Sequence, residues 1–422
     1  LEGYASDMAL FLFFLFMESP LYLAFPPFVD PLPIQDPTGV ALMKINIILN
    51  ALGGGGAERV VQTLANHLAN DHRIRLFYLE KLAPVYPLDP SIESTTLRSG
   101  LLNRGPGKFL SLPVQATELV QLLNRFPADA NLSLLFRANL VHLLTRNLGN
   151  RAPILISDRN PPTEQYALSS LQDRTMRYLI RRFYPHADHD IAISEGVARS
   201  TESFGLPRER ISVIHNPQDC RNIIELARES PAVDLSPWPR PRIVTSGRLT
   251  YQKDYPTLIR SFHRVIQDTP ASLIILGQGE EEANLRALVR ELGLDSRIAF
   301  LGWQSNPFAI FNQCDLFLLT SRFEGFGNVI LEAMLCGLPT VVTNSKGGPN
   351  EILDNGRWGR LVPVGDVDAI AEVVSSLLQN SNSRKALQKA GIERAWQFDV
   401  AIVARRYLEV FEKYGKDSPF CS

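Results

Sequence analysis

The chain has 422 residues with a formal net charge of −1 and 45% hydrophobic residues, the composition of a globular protein large enough for two α/β domains. A near-neutral balance argues against a nucleic-acid binder as a whole. Residues 44–217 hold 20 Lys and Arg against 15 Asp and Glu, whereas residues 218–422 hold 23 against 24. The mildly basic first half suits a phosphate-bearing or anionic-headgroup partner, or is an uneven scatter of solvated charge. Four scattered cysteines without a C-x-x-C pair indicate neither a disulfide framework nor a zinc site, so a reducing cytosol is expected.

Residues 1–42 differ from the rest. The apolar run Met8–Met17 is too short to span a bilayer, Glu18 and Pro20 interrupt it, and no basic residue precedes Lys44. The segment is read as an extension outside the fold, from an over-extended translation start, with a membrane-associating tail as the alternative. From Met43 the pattern becomes strand, glycine loop, helix: Ile45–Leu49, Gly53–Gly56, then a helix through Leu68. Apolar runs recur at Ile74–Leu79, Ala130–Leu135, Ile154–Ser157 and Ile191–Ser194 with helical stretches between them. A Pro-rich stretch at 227–241 reads as a linker. A second alternating series follows at Ile243–Ser246, Leu273–Leu276, Ile298–Leu301, Leu316–Thr320 and Thr340–Thr343. The expectation is an α/β protein with two Rossmann-like doubly wound domains facing across a cleft, at 43–226 and 242–399, and a last helix over 400–414 packing across both.

The stretch Ser321-Arg-Phe-Glu-Gly-Phe-Gly-Asn-Val-Ile-Leu-Glu332 carries the most chemistry. It follows a buried-strand pattern, turns at Gly325 and Gly327, and enters a helix for which Asn328 is the expected N-cap. A helix start attracts phosphate, and Glu324 and Glu332 can accept hydrogen bonds from sugar hydroxyls, so the pairing points to a nucleotide sugar. Ser246-Gly-Arg-Leu-Thr-Tyr-Gln-Lys253 ends another strand. Arg248 and Lys253 are suited to stabilise a departing diphosphate without a metal. Gly277 and Gly279 bring backbone close to a ligand at a third strand end.

Weaker features carry two readings. The loop containing Gly54, Gly55 and Gly56 fails the G-x-G-x-x-G register, although Glu80 keeps a dehydrogenase alternative open. It is read as a turn admitting substrate to the first helix start. The triplets Asp188-His-Asp190 and Asp366-Val-Asp368 resemble metal-bound sugar-nucleotide motifs but read better as structural. His142 reads as packed and His215 as a loop residue. Arg174, Arg177, Arg181 and Arg182, interleaved with aromatic and aliphatic residues, fit either peripheral contact with an anionic membrane or an amphipathic core helix.

On these residues the chain over 43 to about 414 resembles glycosyltransferase family 4, retaining enzymes of the GT-B fold. The E-x7-E pair Glu324 and Glu332, the Ser-Gly-Arg-Leu-x4-Lys pattern ending at Lys253, the Gly277-Gln-Gly279 turn and Gly347-Gly-Pro-Asn-Glu351 carry the resemblance. It implies that Arg248 and Lys253 bind the donor diphosphate, that Glu324 contacts the transferred sugar and Glu332 the ribose. It implies that the Phe326 to Val329 backbone holds sugar and phosphate, with the Gly53–Gly56 loop nearby. Glu324, Arg248 and Lys253 are thereby assigned to the transfer step. No cofactor or metal is implied beyond the nucleotide-diphosphate sugar itself. One departure is Asp158-Arg-Asn-Pro161, where several relatives carry a His; Arg159 is the substitute candidate, and the acid-Arg-Asn pattern favours a lipid-linked or polysaccharide acceptor. The implied activity is retaining transfer of a hexose or N-acetylhexosamine, probed against two alternatives: a GT-B enzyme that epimerises or hydrolyses nucleotide sugars, and a non-catalytic binding protein. The cysteine usage and the basic helix around Arg174 to Arg182 give the expectation of a cytoplasmic location, peripheral on the inner face of the membrane.

Overall fold

The computed structural model describes residues 42–53, 55–81, 85–99, 111–167 and 170–415. Residues 1–41 of the expected extension, and Gly54, lie outside the described residues. The chain divides into two compact units. Of the described residues, the first holds those from 42 to 193, Val197–Ile214 and those from 403 to 415; the second holds Ser194–Gly196 and His215–Ile402.

The first unit is built on a seven-stranded parallel sheet of β1 (Lys44–Leu49), β2 (Arg73–Tyr78), β3 (Glu93–Thr96), β4 (Ala130–Leu134), β5 (Leu155–Ser157), β6 (His189–Ala192) and β7 (Ile211–Val213). Their order is β3-β2-β1-β4-β5-β6-β7. Ile47 pairs with Leu76 on one side and Leu132 on the other, and residues 45–49 are buried on both faces of the sheet, so the central strand reads as a largely apolar run. Val61, Leu64 and Leu68 of the first helix pack into this core, and so do Val403, Ala404, Tyr407 and Phe411 of the last helix, Val400–Gly415. Tyr414 Oη lies 3.0 Å from His189 Nδ1, fixing the end of that helix to β6.

The second unit carries six parallel strands: β8 (Arg242–Ser246), β9 (Ser272–Leu276), β10 (Ile298–Gly302), β11 (Leu316–Leu319), β12 (Thr340–Thr343) and β13 (Arg360–Val362), ordered β10-β9-β8-β11-β12-β13. Its core joins Ile243, Leu273, Ile275, Leu316 and Val341 of the sheet to Leu258, Ile259 and Phe262 of one helix and Ile370 and Val374 of another. The chain enters this unit at His215, ahead of the Pro-rich stretch. The helix Cys220–Ala227 belongs to it and is tied in by Asn306 Nδ2, which donates to Leu226 O at 2.9 Å.

Strand order reverses between β1 and β4 in one sheet and between β8 and β11 in the other. Ligands of such sheets bind outside the carboxyl ends of strands at these points. In the second unit, the two loops issuing there carry Arg248 and Glu324.

Candidate active site

The loop after β8 runs through Gly247, Arg248 and Leu249 into a 3-10 turn at Tyr251–Lys253 and then the helix Tyr255–Asp268. It is stitched to the loop after β11. Thr320 Oγ1 donates to Lys253 O and Asp254 O, both at 3.1 Å. Arg322 Nη2 meets Asp254 Oδ1 at 2.8 Å, and Gln252 Nε2 donates to Phe323 O at 3.0 Å. Asp254 is held in the left-handed region, at φ 49°, between the turn and the helix. Through this stitching Lys253 Nζ reaches Glu324 Oε1 at 2.5 Å, and Ser321 Oγ donates to the same oxygen at 2.6 Å. Neither contact uses Oε2, so Glu324 keeps acceptor capacity for a sugar hydroxyl while Lys253 keeps two further N–H donors. The two side chains are only 16% and 7% exposed, so their charges act in a setting where water screens little. Arg248 is exposed on the same turn, and its guanidinium enters no ion pair among the described residues.

Glycines set these loops by close approach rather than by flexibility. A Cβ on Gly277, at φ +124°, would lie 2.0 Å from Gly247 O, and one on Gly279 would lie 2.3 Å from Leu249 O. The loop after β9 therefore supports the Arg248 turn, with Leu249 N donating to Gln278 O at 2.9 Å. Below the Glu324 loop, a Cβ on Gly347 (φ +114°) would lie 1.7 Å from Glu324 O, and one on Gly348 would lie 2.4 Å from Phe326 Cα. Gly325 accepts from Gly348 N at 3.2 Å.

The helix Asn328–Leu335 begins at the residue expected to cap it. Gly327, at φ 98°, holds the N-cap position, a conformation that only glycine takes without strain, and Asn328 is the first helical residue. The Asn328 side chain accepts instead from Asn216 Nδ2 at 2.8 Å. This start presents the backbone N–H groups of the first turn, Val329 included, as anion donors. Glu332 follows within the helix and is 8% exposed; burial, and then the Glu332 carboxylate, push the Cys336 thiol up.

In the first unit, the helix Gly56–Leu68 starts at Gly55 as N-cap. Gly55 lies against Glu58, and Gly53 has open space around it. Glu80 is tied to Arg137, whose Nη2 also donates to Gln115 Oε1 at 3.1 Å. Arg159 is buried after β5 beside Asp158. Asp158 Oδ1 accepts from Tyr184 Oη and Asn139 Nδ2, each at 3.1 Å. Burial pushes the Asp158 carboxyl up to about 7, against the opposing effects of the Tyr184 bond, the Arg159 charge and the Asn139 bond. Asp190, wholly buried in β6, is pushed up by burial and then by Asp158. The corner before this site is strained, since Leu135 sits at φ 74° ahead of the helix Phe136–Leu144.

The two aspartate triplets are engaged by the fold. Asp188 Oδ2 pairs with Arg146 at 2.5 Å and accepts Ile154 N–H at 2.7 Å. Asp366 caps a helix by accepting Ala369 N–H at 2.9 Å, and Asp368 pairs with Arg264 at 2.7 Å. His142 is fully buried beside Ser133, and desolvation lowers its pKa to about 3. Sequence reasoning missed Ser321 as a partner of Glu324, and the contact of His215 with Glu351 at 3.0 Å. Ser321 stood three residues from Glu324 as a visible signal; Glu351 had none, being 136 residues from His215.

Residues 227–394 match the family described as glycosyl transferases group 1, and residues 54–222 match glycosyltransferase family 4. Over 371 residues the chain is 30% identical to the N-acetylgalactosamine-N,N'-diacetylbacillosaminyl-diphospho-undecaprenol 4-alpha-N-acetylgalactosaminyltransferase of Campylobacter jejuni, covering 87% of this chain and 99% of that one. A second C. jejuni enzyme, an alpha-1,4-N-acetyl-D-galactosaminyltransferase named for a diNAcBac-PP-undecaprenol substrate, is 24% identical over 87% of this chain and 98% of its own. Among solved structures, the sucrose-phosphate synthase of Thermosynechococcus elongatus superposes with a TM-score of 0.75 at 20% identity, covering 89% of this chain and 100% of that one. Anabaena Alr3699/HepE, solved with UDP and glucose, gives 0.68 at 22% identity, covering 88% and 100%. These neighbours establish the GT-B fold. With near-complete coverage of a 30% identical relative, the chain belongs to the glycosyltransferases of family 4.

Proposed function

We propose that this glycosyltransferase moves a hexose or N-acetylhexosamine from a UDP-linked donor to a lipid-linked or polysaccharide acceptor in surface glycan biosynthesis, with retention of anomeric configuration. The observation that carries the proposal is the Lys253–Glu324 contact at the carboxyl ends of β8 and β11, beside Arg248 and a helix start. Arg248 and Lys253 would hold the diphosphate and stabilise the charge that grows on it as the glycosidic bond breaks. Glu324 Oε2 would accept a hydroxyl of the transferred sugar, and Glu332 the ribose hydroxyls. In a retaining reaction the leaving diphosphate takes the proton of the incoming hydroxyl on the same face. Two cations facing the leaving group allow the step to run without a metal, so transfer should survive chelation.

The relatives named for undecaprenyl-diphosphate substrates support a lipid-linked acceptor. No helix among the described residues is long and apolar enough to cross a membrane. Along the helix Leu171–Phe183, however, Leu171, Arg174, Tyr178, Arg181 and Arg182 are exposed at helical spacing. This stripe suits peripheral contact with an anionic leaflet on the cytoplasmic side. The test is mass spectrometry of products from sugar nucleotides and polyprenyl-diphosphate acceptors. Acceptor-dependent product from the wild type, absent for a folded Glu324→Ala variant, is the expected outcome. Undiminished turnover in that variant would remove the assignment, and sugar release without acceptor would favour a nucleotide-sugar hydrolase.

A further inference from the structure

His215 opens the second unit directly after β7, and its surroundings concern the helix start rather than the reacting atoms. Its Nε2 lies 3.0 Å from Glu351 Oε2, while Glu351 Oε1 accepts Glu195 N–H at 2.8 Å. The backbone of this segment is clamped in turn, since Arg394 Nη2 and Nε donate to the carbonyls of Glu351 and Ile352 at 2.7 and 2.8 Å. Held from that side, the imidazole stacks on Phe326, with centroids 5.1 Å apart and planes 19° from parallel. Phe398 closes on both rings at 5.5 and 5.6 Å. The next residue, Asn216, donates to Asn328 Oδ1 at 2.8 Å. His215 and Asn216 thus grip Phe326 and Asn328, the residues on either side of Gly327, where the chain turns into the helix.

A carboxylate can only accept, so the contact with Glu351 requires Nε2 to carry a hydrogen and fixes the ring's orientation. Gly348 lies close against Phe326 as well, since a Cβ there would come within 2.4 Å of Phe326 Cα and O and 2.7 Å of its ring Cδ2. The backbone N–H groups at the helix start are therefore aimed by a chain of contacts running Glu195, Glu351, His215, Phe326. We propose that His215 and Glu351 form a positioning pair that sets the affinity of this helix start for the diphosphate of the donor. The proposal rests on the donor reading of the same loop. Neither residue takes part in bond making; each acts through Phe326 and Asn328.

Two variants separate positioning from packing. His215→Phe keeps an aromatic ring against Phe326 and loses the bond to Glu351; Glu351→Gln keeps an acceptor for Glu195 N–H and loses the charge. In steady-state transfer each should raise the donor KM about tenfold, the scale on which an outer partner acts on the group it orients. The same variants should leave kcat within about twofold and the acceptor KM unchanged, because only donor binding is altered. Calorimetric titration with UDP should show the matching loss of affinity, and the double variant should be no worse than the worse single one. If His215→Phe does not fold, Glu351→Gln carries the same expectation. Unchanged donor KM and unchanged UDP affinity in a folded variant would overturn the proposal, and so would a fall in kcat at constant donor KM. Arg248→Ala separates this failure from that of the donor reading. If it weakens UDP binding while the two variants do not, only the positioning pair is wrong. If the wild type and all variants bind no UDP or GDP, both are wrong.

Discussion

Replacing Lys253 by Met removes the ammonium and keeps most of its stem. At 2.5 Å the attraction between Lys253 and Glu324 is about 6–7 kcal/mol with an effective dielectric constant of about 20, set against the desolvation of both groups. Removing one partner of a buried pair costs about 3–5 kcal/mol. The Ser321 hydroxyl, which donates to the same oxygen, remains and offsets part of this, so Lys253→Met should lose about 2–4 kcal/mol. Glu324→Gln should lose a comparable amount, and the double variant less than the sum, with a coupling of at least about 1.5 kcal/mol. All four tryptophans, Trp238, Trp303, Trp358 and Trp396, lie in the second unit, so urea unfolding followed by their fluorescence reports that unit separately. Additivity of the two single losses to within about 0.5 kcal/mol would refute the reasoning, since uncoupled groups do not share an ion pair.

Arg248 is exposed, so Arg248→Ala should change stability by no more than about 0.5 kcal/mol while slowing transfer about 100-fold or more, measured by unfolding and by initial rates. Gly347→Ala should destabilise the second unit by at least about 2 kcal/mol, because its new methyl meets Glu324 O and its φ is +114°. Gly53→Ala, with open space around it in the first unit, should be nearly neutral in urea unfolding followed by far-ultraviolet circular dichroism, which reads both units. The Asp158 carboxyl stays protonated in the folded chain up to about pH 7, whereas an unfolded one ionises near its ordinary value, so folding loses stability as pH rises between those values. Asp158→Asn should abolish that loss, at most about 4 kcal/mol across the window, and a stability profile between pH 4 and pH 8 that remains as steep as the wild type would contradict it.

The central strands were legible because burial on both faces turns them into continuous apolar runs, as at Ile45–Leu49 and Leu273–Leu276. The strands that escaped, β3 with Glu-Ser-Thr-Thr and β13 with Arg-Leu-Val, are two sheet edges, short and partly solvated, where no such run is required. Arg248, Lys253, Glu324 and the helix start could be read because each follows its strand at a fixed short distance. What brings Lys253 onto Glu324 is the hydrogen bonding of Thr320, Gln252 and Arg322, which links residues about 70 apart and leaves no local pattern. Asn328 misled for a related reason. An Asn before an apolar run is a good cap, but Gly327 already turns the chain at positive φ, and the Asn side chain is claimed by Asn216. The Gly277-x-Gly279 turn, read as bringing backbone close to a ligand, packs against the backbone of the Arg248 loop.

The most direct measurement is proton NMR of the new glycosidic linkage formed when the chain is given UDP-N-acetylgalactosamine and a polyprenyl-diphosphate-linked acceptor, with chelator present throughout. An α-linked product from the α-linked donor, lost in Glu324→Ala and in Arg248→Ala, is the expected result. A β-linked product, or an α-linked product whose formation is indifferent to both substitutions, would contradict a retaining transfer centred on Glu324.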